Sequence, residues 1–282
     1  MCAQLCLVDA LVTQMTINSI QKPASFPFRH VVIDNYLNSN THDAIRQDFN
    51  KLLAHGITQL PDQNRLAKMP GYDCYNWVFP RDVTAPMDHF YSAEFMAFCR
   101  ETLNIPFTAE VNAQINHHPA GCRSGIWHTD FIHCYHTQDP TNHSGIRPWY
   151  FGCNYQSGMP VAGGSDARIL KRVRALTFLY YIDGDDWTQG DGGETAFGYE
   201  SPFGDEVAPF SAIAPLPNRL LMFECSPHSF HRMLGNNRLP RSLIIGWLHC
   251  TPEYAVQKHG MVPDDWNSEA ALGLVTYNEP EQ

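Results

Sequence analysis

Trp127-His128-Thr129-Asp130 sets an imidazole and a carboxylate two residues apart, a neutral nitrogen ligand and an anionic oxygen ligand. In an extended segment residues i and i+2 project to one face, so His128 and Asp130 can hold one metal ion while Thr129 points away. A second histidine from a distant strand would complete a 2-His-1-carboxylate set, which leaves coordination positions open for chemistry. Among 14 histidines and 29 acidic residues a His-x-Asp pair is a weak signal alone, so the third ligand needs its own support.

Ser226-Pro227-His228-Ser229-Phe230-His231 offers two candidates, and each has an arginine ten residues on: His228 with Arg238, His231 with Arg241. Pro240 cannot donate to a sheet ladder, which leaves Arg238 in the loop before the next strand. Arg241 instead opens a run whose alternation sends Arg241, Leu243, Ile245 and Trp247 to one face. The pair is therefore read as His231 with Arg241. A guanidinium at a pocket mouth grips a carboxylate bidentately and stays charged when partly buried.

The elements that must position these residues change character along the chain. Residues 28–37 read as a strand through Val31, Val32 and Ile33. A helix follows, capped by Asn40 or Thr41, with Ile45, Phe49, Leu52 and Leu53 at helical spacing and Gly56 as its stop. Residues 72–79 are aromatic-rich, and Trp77 is a candidate substrate contact. A second helix is expected over 87–103, ended by Pro106. From there to residue 249, Gly and Pro punctuate short Val-, Ile- and aromatic-rich runs, the pattern of a jelly roll preceded by helices that cover one sheet.

Within that half, strands are expected at 110–115, 126–130, 175–183, 194–198, 219–225 and 242–249, with an irregular connection at 209–217. Residues 131–165 form a long Gly-rich connection carrying Trp149 and Tyr150, read as a lid-like loop that contacts substrate. The expected organisation is an N-terminal segment 1–24, one domain 25–250 (helical support 38–105, jelly-roll core 106–250) and a C-terminal tail 251–282 with a short helix at 254–259.

Composition narrows the function. The formal charge of −10 excludes a general nucleic-acid binder, which needs clustered cations. Arg168, Lys171, Arg172 and Arg174 run against that balance; they read as a solvated loop leading into a strand, or as an attractor for an anionic substrate or cosubstrate. Nine cysteines without a Cys-x-x-Cys pair read as free thiols in a reducing compartment. Residues 1–20 have no Lys or Arg and include Asp9, unlike a secretion signal, and no stretch reaches membrane-span length, so a cytoplasmic protein without a membrane partner is expected.

His128-Thr129-Asp130, Gly192-Gly193-Glu194-Thr195, Ser229-Phe230-His231 and Arg241 with Gly246-Trp247-Leu248-His249 together resemble the Fe(II)/2-oxoglutarate-dependent dioxygenases, in particular the prolyl 4-hydroxylase-like branch with its ribosomal-protein hydroxylase relatives. The resemblance covers roughly residues 110–249. It implies an α+β, mainly β fold: a double-stranded β-helix (jelly roll, cupin-like) with N-terminal helices packed on one sheet. It implies Fe(II) held by His128, Asp130 and His231, a salt bridge from Arg241 to 2-oxoglutarate, O2 as oxidant and ascorbate as reductant. Tyr181, the second tyrosine of its strand, falls in the implied cosubstrate pocket. His118 stands where the family often has a tyrosine, and either takes over its polar role or makes the pocket different there. Ile245 stands where relatives have a hydroxyl residue, which shifts cosubstrate binding onto Arg241 and Tyr181. Asp130 retains the carboxylate that the family's halogenases lack, which favours hydroxylation over halogenation and leaves desaturation or ring closure as alternatives.

The expected activity is hydroxylation of an unactivated C–H bond of a small molecule such as an amino acid or natural-product intermediate, with release of succinate and CO2. The alternatives are a peptidyl, prolyl-type hydroxylase acting on a protein, and a cupin-like metal-binding protein or zinc hydrolase using the same three ligands. Zinc would not need Arg241 together with Tyr181.

Overall fold

The computed structural model describes residues 22–61, 64–80, 82–138, 146–148, 152–161, 168–200, 207–236, 238–261 and 263. Two sheets face each other across the site. The large one runs in the order β1 (His30–Ile33), β11 (Leu220–Glu224), β8 (Ile169–Tyr181), β13 (Arg241–Cys250), β5 (Glu110–His118), β4 (Tyr75–Val78), β3 (Leu66–Lys68), β2 (Ile57–Thr58). The smaller sheet is β10 (Val207–Ile213), β9 (Thr195–Glu200) and β12 (His231–Met233), and His128 joins it by bridging to His231. This is a double-stranded β-helix, and period-two alternation divides its residues. On β13 and β8, Leu243, Leu179 and Tyr181 face the small sheet in one cluster with Phe197, Leu221 and Phe223. Ile244, Leu248, Phe178 and Tyr180 face the other way.

That second face is covered by helices. α1 (Ser39–Ala54) buries Ile45, Phe49 and Leu52 at helical spacing, and its cap is Asn38 rather than Asn40 or Thr41: Asn38 Oδ1 accepts the Thr41 backbone N–H at 2.9 Å. The single helix expected over 87–103 is two elements. Met87–Tyr91 is a 3-10 turn, Ser92 is extended, and its hydroxyl accepts the Phe95 N–H at 3.0 Å to start α2 (Ala93–Leu103). α2 stops at Asn104, whose φ of 50° is left-handed, before Pro106 is reached. Phe90 and Phe95 pack on Phe178, with ring centroids 5.6 and 4.9 Å away. Each fully buried phenylalanine contributes roughly 2 kcal/mol to holding this layer on the sheet.

Four further segments differ from the sequence expectation. Residues 126–130 are extended but form only a bridge, because the carbonyls that would lengthen the ladder are occupied: Ile126 O accepts from the His128 ring and Ser229 O from the His231 ring. The connection at 131–165 begins as a strand. β6 (His133–Thr137) pairs antiparallel with β8, whose 13 residues overrun the barrel and offer it an edge. β7 (Arg147–Pro148) adds to β5, and Trp149 and Tyr150 lie outside the described residues. Residues 207–213 form β10 despite Pro209, which is tolerated at a bulge on a sheet edge. The basic cluster likewise leads into β8 as strand: Lys171, Arg172 and Arg174 are within it, and Arg172 pairs with the buried Glu110 at 2.8 Å.

After β13 the chain enters α3 (Pro252–His259), capped by the Thr251 hydroxyl and held by an ion pair between Lys258 and Glu224. The first part of the expected tail is thus packed on the body. Cys74, Cys99, Cys122, Cys134, Cys153, Cys225 and Cys250 are all free and buried.

Candidate active site

His128 and His231 reach the site from two extended segments that exchange backbone hydrogen bonds of 3.2 and 2.9 Å. Each ring is fixed by its own strand. His128 Nδ1 lies 3.0 Å from Ile126 O, and His231 Nδ1 lies 3.1 Å from Ser229 O. A carbonyl only accepts, so Nδ1 carries a proton in both rings and Nε2 is the atom each can offer to a metal. Asp130 completes the group, with the three ligating atoms within 4.8 Å of one another and His231 Nε2 3.6 Å from Asp130 Oδ2. The competing histidine, His228, is at the surface, 69% exposed and 3.8 Å from Glu200.

Asp130 is buried and anchored from three sides. Arg174 Nη1 donates to Oδ1 at 3.0 Å, while Thr177 Oγ1 and Trp247 Nε1 donate to Oδ2 at 2.7 and 2.8 Å. Burial alone would raise its pKa. The positive charge of Arg174, with His231, His128 and the Thr177 hydrogen bond, overrides that and holds the carboxyl well below its usual range. Burial and then His128 push His231 down to about 4. Near neutral pH His231 is therefore a neutral imidazole and Asp130 a carboxylate, the protonation states that metal ligation needs.

Arg241 opens β13 on the same face, and its buried guanidinium donates from Nη2 to Thr195 Oγ1 at 2.9 Å. Tyr181 Oη meets the same hydroxyl at 2.8 Å. Arg241 Nε is buried without a hydrogen-bond partner, and among the described residues no carboxylate pairs with the guanidinium. A buried cation so placed calls for an external anion, and its fork suits a carboxylate. His118 lies directly across from Arg241 in the β13–β5 register; burial and then Arg241 push its pKa down to about 3, so a neutral ring sits beside the cation.

The turn before β9 depends on glycine. Gly192 has φ 76°, and a Cβ there would lie 1.9 Å from the Gly235 carbonyl oxygen. Only glycine lets the chain pass the 235–236 segment so closely and bring Thr195 to Arg241.

Trp77 does not belong to the site. It pairs with Ile115 and packs with the helix-side cluster, because the register of β4 on β5 sends Asn76 and Val78, not Trp77, toward the pocket. Four contributors were not assigned roles from sequence: Arg174, Thr177, Trp247 and Thr195. Thr195 sits in the Gly-Gly-Glu-Thr motif and Trp247 on the alternating face of Arg241, so those two had a signal. Arg174 is re-aimed by a bulge. The β13–β8 pairing shifts between Leu248 and His249, skipping Ala175, which turns Arg174 to the same face as Thr177.

A double-stranded β-helix with a 2-His-1-carboxylate cluster inside, and an arginine at its mouth that has no carboxylate partner among the described residues, defines a non-haem metal oxygenase. Residues 113–249 match the sequence profile of the 2OG-Fe(II) oxygenase superfamily, so the chain carries a domain of that superfamily and is a 2-oxoglutarate-dependent oxygenase using Fe(II), 2-oxoglutarate and O2. Similar solved structures include a Pseudomonas putida prolyl-4-hydroxylase at 13% identity and TM-score 0.49, covering 78% of this chain and 91% of that one. A Trichoplax adhaerens prolyl hydroxylase in complex with a hypoxia inducible factor oxygen degradation domain peptide fragment is similar at 19% identity and TM-score 0.47, covering 78% and 82%. A viral collagen prolyl hydroxylase from Paramecium Bursaria Chlorella virus-1 is similar at 13% identity and TM-score 0.45, covering 79% and 96%. No helix among the described residues is long and apolar enough to cross a membrane.

Proposed function

We propose that the protein hydroxylates an unactivated C–H bond of a small molecule such as an amino acid or natural-product intermediate, with His128, Asp130 and His231 as the Fe(II) ligands. The observation that carries the cosubstrate assignment is the unpartnered Arg241 Nε beside Tyr181 and Thr195. Arg241 would hold the distal carboxylate of 2-oxoglutarate, Tyr181 and Thr195 would orient it, and His118 would stay neutral at its edge. When bound, Fe(II), 2-oxoglutarate and O2 would supply the oxidising power: 2-oxoglutarate would be oxidised to succinate and CO2, with one oxygen atom of O2 going into succinate and the other into the substrate hydroxyl. Arg174, Thr177 and Trp247 fix Asp130 so that its charge and direction do not change during turnover.

A polar wall supports the small-molecule reading. Asn112, across from Trp247, has a buried Oδ1 with no hydrogen-bond partner, and Gln114 and Asn116 continue the row with a 2.8 Å bond between them. A buried acceptor of this kind asks for an N–H or O–H donor from substrate, as an amino acid supplies. The free, buried cysteines fit the cytoplasmic assignment, and ascorbate is the expected reductant.

With Fe(II), ascorbate and 2-oxoglutarate the protein should form succinate slowly without substrate. His231→Ala and Asp130→Ala should abolish this, and His228→Ala should retain it. Absence of succinate under every condition would sink the oxygenase assignment of the triad. A screen of amino acids against proline-containing peptides separates the substrate classes; turnover of peptides alone would replace the small-molecule reading with a peptidyl one.

A further inference from the structure

Behind Asp130, on the far side of Arg174, lies a second convergence of metal-ligating side chains: Cys134 and His136 from β6 and His249 from β13, all buried. Their sulfur and nitrogen atoms lie within 4.8 Å of one another, as do the ligating atoms of the His128–Asp130–His231 group. His249 Nδ1 is 2.9 Å from Glu110 O, so it carries the proton and Nε2 is bare. His136 Nε2 lies 3.5 Å from His249 Nε2. Zn–N bonds of about 2.0–2.1 Å at tetrahedral angles place two imidazole nitrogens ~3.4 Å apart. A fourth donor is at hand: Tyr155 Oη is 2.8 Å from His249 Nε2 and within hydrogen-bonding reach of Cys134.

We infer that Cys134, His136 and His249, with Tyr155 closing the fourth position, form a second and structural metal site that takes zinc. Two imidazoles and a thiolate are donors that zinc favours, and the Tyr155 oxygen would close the buried set and leave no open position for substrate. The cation replaces the Cys134 thiol proton, which passes to solvent, so uptake releases one proton. Arg174 Nε donates to Tyr155 Oη at 3.2 Å; burial pushes the Cys134 thiol up to about 12, and the Arg174 charge works against that, so one guanidinium braces both sites. The alternative arrangement is a metal-free one in which Tyr155 donates to His249 and Cys134 stays protonated.

The decisive protein is the full-length His128→Ala/His231→Ala variant, in which the iron site is disabled. Stripped of metal and titrated with Co(II) as a spectroscopic stand-in for zinc, it should bind one equivalent and develop a thiolate-to-cobalt charge-transfer band, with one equivalent of zinc displacing it. Adding Cys134→Ser or His136→Gln to that background should remove the band. No bound metal in the iron-site variant, or a bound equivalent without a thiolate band, overturns the site. The spectrum of the iron-site variant decides the question even where a Cys134 or His136 substitution prevents folding. Succinate formation by the wild type is a separate readout that tests the oxygenase site only.

Discussion

Arg174 and Asp130 form an ion pair of 3.0 Å between side chains each only 7% exposed. Arg174 Cζ also stacks 3.6 Å from the centroid of the Trp247 ring, whose indole N–H bonds the same carboxylate. The carboxylate is therefore charged, buried and direction-locked before any metal arrives. Arg174→Ala strands that charge, and removing one member of a buried pair costs roughly 3–5 kcal/mol. Urea unfolding of the metal-free variant should show this loss, with a smaller loss once Fe(II) compensates Asp130. A metal-free variant as stable as wild type would mean that Asp130 does not depend on Arg174.

Arg241 offers the complementary case, a buried cation whose anion is the cosubstrate. Hydrogen bonds to charged groups contribute roughly 1.5–3 kcal/mol each, so Arg241→Gln should raise the KM for 2-oxoglutarate by about 10- to 100-fold. Arg241→Lys keeps the charge but loses the fork and should fall between the two. An unchanged KM in Arg241→Gln would remove Arg241 from the pocket.

Thr195 is the hydroxyl at which Arg241 and Tyr181 meet. Thr195→Val leaves a buried phenol and a guanidinium N–H without that partner, which costs roughly 1–3 kcal/mol. The variant should melt lower without 2-oxoglutarate and bind it more weakly, whereas Tyr181→Phe should affect binding alone and less. Equal melting temperatures for Thr195→Val and wild type would show that the hydroxyl is not structural.

The residues that alternate cleanly were legible from sequence. Arg241, Leu243, Ile245 and Trp247 share a face because β13 is a regular strand, and His128 and Asp130 share one because the segment is extended even without a ladder. What escaped depends on irregularity or on distance. Arg174 reaches Asp130 only through the bulge at Ala175, and alternation alone would place it with Leu176 on the helix side. Trp77 reads as a pocket aromatic until the β4–β5 register assigns its face. The Ser92 break in the 87–103 helix is set by one hydroxyl accepting one N–H, a choice that apolar spacing does not encode. β6 was hidden because its partner, the first part of β8, is polar and looked like a loop.

The buried histidines set a pH dependence. Burial, as the largest cause, pushes His231 and His249 down to about 4 in the folded protein, against ~6.5 in the unfolded chain. Between those values the unfolded chain binds protons that the folded one refuses, so this stability is fully present above pH 6.5 and drains away as pH falls toward 4. Each histidine adds at most ~1.4 kcal/mol per pH unit to the slope. Asp130, with its depressed pKa, adds a loss of the same direction below about pH 4. Urea midpoints of the chelator-treated protein should therefore drop steadily from pH 7 through 6 to 5. His231→Gln should flatten that slope by up to one proton's worth, while His228→Gln, at the surface, should leave it unchanged. A wild-type midpoint that stays level across the range would show that these rings are not held neutral by the fold.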